Sequence, residues 1–135
     1  MLEIKSDVIT LNGKLKTCLE YLSDLNNFEN LFPKDKIKDW KSDKDFCIFN
    51  LQNVYTLEII KDKIDKNSIN LISGAKSPFS FSIKIEIEEK DPQICCGQII
   101  CKAKVNPMLK VMIGKPLNEL FNFMAKKIED AIKLV

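Results

Sequence analysis

Apolar residues recur along this chain with two different periods, and the switch between them divides it into segments. Leu2, Ile4 and Val8 share one face of the stretch Leu2 to Val8, and Glu3, Lys5 and Asp7 share the other, which predicts a first strand. A helix is predicted after Asn12-Gly13, because Leu15, Cys18, Leu19 and Leu22 follow at helical spacing. Leu25, Phe28, Leu31 and Phe32 predict a second short helix. Pro33 closes it, since proline disfavours helical geometry in the residue before it.

The period then changes to two. Ile37 to Ser42 predicts a weak strand, and Phe46 to Leu51 with Val54 to Lys61 a hairpin around Gln52-Asn53. A polar connection, Asp62 to Asn67, leads to a strand carrying Ile69, Leu71 and Ser73, and Gly74 to Pro78 reads as a turn region. The clearest strand is Phe79 to Glu88. Phe79, Phe81, Ile83, Ile85 and Ile87 face one way, and Ser80, Ser82, Lys84, Glu86 and Glu88 the other. Asp91-Pro92 breaks the chain before Ile94 to Val105, where Cys95, Gly97, Ile99, Cys101, Ala103 and Val105 oppose Gln98, Lys102 and Lys104. Strands with one apolar face favour an antiparallel sheet with one side buried and one wet.

Asn106-Pro107 has the pattern of a helix cap followed by proline at the first helical position. Met108 to Ile113 predicts a short helical turn, interrupted at Gly114, with Pro116 restarting the helix. Leu117, Leu120, Phe121, Met124, Ile128, Ala131, Ile132 and Val135 then form a stripe over about five turns. A sheet with one apolar face needs a cover, and only this helix is long enough to supply it. The expected architecture is therefore α+β. A curved antiparallel sheet of about six to seven strands wraps a long C-terminal helix, and two short helices after the first strand plug one end.

With 135 residues the chain is expected to form one domain, 1–135, and its 45% apolar content suffices for a core. No stretch approaches the roughly 20 apolar residues that span a bilayer. The opening residues alternate polar and apolar instead of forming a secretory signal, so a cytoplasmic protein without membrane insertion is expected. Five cysteines with no framework spacing fit free thiols in a reducing compartment.

Two absences narrow the chemistry. There is no histidine, which removes the usual general base near neutral pH and the commonest metal ligand. There is no arginine either, so all 21 basic residues are lysines, interspersed with 19 acids for a net charge of +2. That composition does not suit a nucleic-acid groove. No catalytic residue, metal site or cofactor is read from the sequence. Glu86 and Glu88 fall on the wet face of their strand, and Cys101 on the apolar face with Lys102 and Lys104 turned away.

The segments Leu22 to Pro33, LSDLNNFENLFP, and Val105 to Ile128, VNPMLKVMIGKPLNELFNFMAKKI, carry a resemblance. They are similar to the helix-to-helix region and the last strand and helix of the START / birch-pollen-allergen-like superfamily. That group is also called SRPBCC, or the polyketide cyclase/dehydrase and lipid-transport group. The resemblance covers nearly the whole chain and implies a helix-grip fold. It implies a non-catalytic carrier or sensor for a small hydrophobic molecule. The alternatives are a cyclase/aromatase-like enzyme, or an interaction module similar to the heat-shock-chaperone ATPase activators.

The inward sheet face and the helix stripe together give the candidate wall of a ligand site. On the sheet it comprises Tyr55, Leu57, Ile69, Leu71, Phe81 and Ile83, and on the helix Met112, Phe121 and Met124. Tyr55 would supply the polar handle. Met108, Met112 and Met124 would either make the site adaptable or simply fill the core. Trp40 and Phe123 lie outside the clear stripes, as partly exposed residues or as part of a homodimer contact.

Overall fold

The computed structural model describes residues 1–133. Val135, placed on the helix stripe by its spacing, lies outside them. Eight antiparallel strands form one sheet: β1 Leu2–Lys5, β2 Ile9–Leu11, β3 Ile37–Ser42, β4 Phe46–Leu51, β5 Tyr55–Asp65, β6 Ser68–Ser73, β7 Ser80–Asp91 and β8 Ile94–Lys104. Their order is β1-β8-β7-β6-β5-β4-β3, with β2 also paired to β8. Helix α1, Leu15–Leu22, and a 3-10 helix, Leu25–Leu31, follow β2, and helix α2, Pro107–Ile132, ends the fold. This is the predicted helix-grip arrangement, with one strand more than the upper end of the expected number.

The extra strand comes from a break in the first one. The five residues from Lys5 to Ile9 oppose only four on β8, from Ile100 to Gly97, which is a β-bulge. Ser6 turns inward there, and its hydroxyl accepts the Ile99 amide at 2.9 Å. The inserted residue shifts the alternation, so Ile9 and Leu11 are buried while Val8, expected inside, is 64% exposed. The connection expected from Asp62 to Asn67 is shorter in the structure. β5 and β6 stay paired as far as Asp65 and Ser68, leaving Lys66 and Asn67 to turn the chain. Gln52 and Asn53 both adopt positive φ, 55° and 60°, in the loop after β4. Asparagine tolerates that conformation better than most residues.

α2 also departs from expectation. It is one continuous helix with Pro116 inside it. The Asn106 side chain caps it by accepting the Leu109 amide at 2.8 Å. Proline removes one helical hydrogen bond and crowds the preceding turn. Buried Ile113 and Leu117, on either side of the proline, lie one turn apart on the core face. Their packing holds the helix together through Pro116.

Strand directions define two ends of the barrel. One end gathers residues 33–36, the β4–β5 and β6–β7 connections, and the start of α2. The other gathers the β3–β4, β5–β6 and β7–β8 turns. The 3-10 helix runs between them, from Leu25, bonded to the Lys44 carbonyl, up to the loop that Gln52 bonds at Lys36.

Candidate functional site

Between the sheet and α2, toward the first of these ends, lies a cavity lined by apolar side chains and one thiol. Phe49, Leu57, Ile59, Phe81, Ile83 and Cys101 form the sheet side. Leu117, Leu120 and Phe121 form the helix side, and Phe32 and Phe79 complete the wall. Alternation aims the sheet residues inward, and helical spacing puts the three α2 residues on one face. Aromatic rings pack around this region. Phe32 and Phe49 have centroids 4.6 Å apart, Trp40 stacks on Phe49 at 5.3 Å, and Phe79 meets Phe81 at 5.8 Å.

The cavity is small, about 20 Å³. Pockets that enclose drug-sized ligands measure roughly 300–1,000 Å³. Beside it is a groove of about 300 Å³ lined by Pro33, Leu51, Pro116, Leu120 and Phe123, together with Gln52 and the charged Asp35, Lys36 and Glu119. Leu120 lines both spaces.

Four of the sequence-predicted wall residues, Leu57, Phe81, Ile83 and Phe121, come together here. Ile69, Leu71 and Met124 are buried in the core without lining the cavity. Tyr55 is only half-buried, because it directly follows the exposed β4–β5 turn and pairs with Leu51 at the strand end. Met112 is 60% exposed and does not belong to the wall. Since α2 does not restart at Pro116, Ile113 takes the core-facing position and Met112 is rotated about 100° away. Met108, at 75% exposure, shares that outer face. Seven lining residues, Phe32, Phe49, Ile59, Phe79, Cys101, Leu117 and Leu120, lie outside the predicted wall. Their apolar phase was legible, but residues that border a gap and residues that fill the core carry the same pattern.

Cys101 supplies the cavity's lone side-chain heteroatom. Burial pushes its thiol from an ordinary 9.0 up to about 12, and does the same to Cys47. Both thiols therefore keep their protons at neutral pH and lack the thiolate character that nucleophilic cysteines need. All five cysteines are free. Among the described residues no group of three or more Cys, Asp or Glu side chains is arranged to hold a metal ion. Glu86 and Glu88 pair with Lys84 at 3.4 Å and Lys90 at 2.9 Å on the outer sheet face. Among the described residues no helix is long and apolar enough to cross a membrane.

The raised thiols make a stability prediction. Above about pH 9 the unfolded chain releases thiol protons that the folded chain retains. The unfolded state then binds fewer protons, and unfolding free energy falls as pH rises, by at most about 1.4 kcal/mol per pH unit per thiol up to about pH 12. Denaturant melts at about pH 8 and about pH 10 should show this decline. Replacing Cys47 and Cys101 by alanine should reduce it to the part left by Cys18, whose buried thiol is pushed up to about 11, and an equal decline in that variant would refute the assignment.

No family model matches the sequence, and a search of curated proteins finds no match. The shape, however, is shared with solved structures. A START superfamily protein from Mycobacterium smegmatis superposes with a TM-score of 0.69 at 13% identity, over 98% of this chain and 97% of that one. The chain has the START-like helix-grip fold. Norcoclaurine synthase from Thalictrum flavum, solved with dopamine and hydroxybenzaldehyde, matches with a TM-score of 0.72 at 10% identity, over 98% of this chain and 87% of that one. The di-domain ARO/CYC protein BexL matches at 0.74 and 9% identity, with 100% of this chain covering 47% of that one. At these identities the START-like likeness is one of fold, and function has to be argued from the site.

Proposed function

We propose that this protein binds a small apolar molecule between the sheet and α2, in a pocket that opens by displacement of Leu120. The observation that carries this reading is the pair of spaces sharing Leu120: an apolar cavity of about 20 Å³ between sheet and helix and a groove of about 300 Å³ beside it. Joining them makes room for a ligand of a few rings, with aromatic and aliphatic walls on every inner side. Binding then transfers apolar ligand surface out of water, and side-chain movement accounts for the small resting volume. The use of this fold by a synthase solved with two small aromatic molecules supports the same reading. The cavity holds only a protonated thiol and no acid–base pair, so carriage or sensing fits it better than turnover.

Native mass spectrometry of freshly purified protein should show a species heavier by one small molecule. A fluorescent apolar probe should bind saturably, one per chain, and faster in Leu120→Ala. If no added mass is found and Leu120→Ala takes up no probe, the pocket reading is wrong. The small resting cavity favours a protein-interaction module as the second reading, and recovery of one stoichiometric protein partner would then establish it.

A further inference from the structure

The end of the barrel formed by residues 33–36, 52–54, 74–79 and 105–116 differs in charge and polarity from the opposite end. Within these segments stand Lys34, Lys36, Lys76, Lys110 and Lys115, all exposed, and one acid, Asp35; two further carboxylates border them, Glu58, which accepts the Lys76 amide, and Glu119, which lines the groove with Lys36. None of the five lysines forms an ion pair among the described residues. In the turns of the opposite end stand Asp43, Asp45, Asp65, Glu89 and Asp91 with Lys44, Lys66 and Lys90, and the helix ends that meet beside them, Gly13 against Ile132, add Lys14, Asp130 and Lys133 for a small net negative charge. The molecule, at only +2 overall, is therefore polarised along the barrel.

The same basic end holds an unusual set of exposed apolar side chains. Val111 is 83% exposed, Met108 75%, Val54 67% and Met112 60%. Met108, Val111 and Met112 are spaced three and four residues apart, so they form one outward stripe on the first turns of α2, with Lys115 one turn beyond Val111. Exposed apolar residues scattered singly need no explanation, whereas a clustered set beside unpaired lysines does. An apolar stripe flanked by long basic side chains matches a bilayer interface, where apolar groups enter the acyl boundary and lysines meet anionic headgroups.

We propose that this end of the barrel, led by the outward stripe of α2, docks on the surface of a bilayer containing anionic lipid. Charge complementarity selects that occupant: the lysines have no carboxylate partners within the described protein, and the acidic end faces away from the contact. The proposal does not rest on the pocket being occupied, and its test uses protein without added apolar ligand.

Sedimentation with phosphatidylcholine vesicles, with and without phosphatidylserine, tests it at low and high salt. The protein should cosediment with the phosphatidylserine vesicles at low salt, release as salt rises, and ignore pure phosphatidylcholine. Each lysine near an anionic surface is worth about fivefold in partitioning, so Lys110→Glu with Lys115→Glu should lower binding more than about tenfold. Val111→Ser with Met112→Ser should weaken it without altering the melt, and Lys44→Glu with Lys66→Glu, at the acidic end, should leave it intact. Absence of cosedimentation at low salt overturns the proposal, as does binding indifferent to the α2 substitutions or lost equally in the acidic-end variant. Indifference to vesicles combined with capture of an acidic protein through Lys110 and Lys115 also overturns it and assigns the surface to a protein partner.

Discussion

Ending the chain after Pro116 should leave a polypeptide with no cooperative unfolding transition. The deleted segment carries Leu117, Leu120, Phe121, Met124, Ile128 and Ile132, each at most 7% exposed. Burying a large apolar side chain contributes roughly 1.5–3 kcal/mol, so these six together contribute roughly 9–18 kcal/mol. A domain of this size is stable by only about 5–15 kcal/mol. The loss goes further, since the inner face of β7, from Phe81 to Ile87, would lose its cover and present a row of apolar residues to water. Circular dichroism should show a broad, non-cooperative melt for the truncated chain. Because truncated chains also aggregate, Ile128→Asp gives an independent check. It places a carboxylate at a position 1% exposed and should also abolish the cooperative transition. A native-like melt in either variant would mean that the sheet does not need the helix.

The fold was legible where one period holds over many residues. β7 alternates in and out from Ser80 to Glu88, and α2 keeps its apolar stripe from Leu117 to Ile132, so either pattern has a single physical solution. The sequence misled where one residue changes the phase. Ser6, Asp7 and Val8 read as a continuing strand, and only the pairing with β8 forces the bulge that turns Ile9 and Leu11 inward. Pro116 was read as a restart because proline disfavours helix interiors, yet packing of Ile113 and Leu117 outweighs that local preference. Met112, expected on the pocket wall, is 60% exposed. The site itself was half legible. Leu57, Phe81, Ile83 and Phe121 share apolar phase with true core residues such as Leu71 and Met124, and which of them borders a gap depends on how well three elements meet. That fit is a property of assembled volumes, which no spacing rule encodes.

Shortening Phe121 should separate a closed core from a pocket that can open. Phe121 is 4% exposed and stands on the helix side of the cavity. In a close-packed site, Phe→Ala costs about 3–5 kcal/mol, because transfer free energy is lost and a cavity remains. Here part of the ring already borders empty space, so the cost should fall at the lower end, about 3 kcal/mol. The variant should also take up apolar probe more tightly than the parent, since the vacated volume adds to the existing one. Leu117→Trp makes the opposite change on the same helix face. The cavity, at about 20 Å³, cannot hold the added ring without movement, so overpacking should cost about 1–3 kcal/mol. If the pocket opens past Leu120, that strain is relieved toward the groove, the cost falls to the low end of this range, and probe binding is lost. Paired melts and probe titrations on the two variants decide between the cases. Tighter probe binding in Phe121→Ala and its loss in Leu117→Trp would establish an adaptable pocket. A full 5 kcal/mol penalty in the first, with no probe bound by the parent or either variant, would establish a solid core and end the ligand-binding proposal.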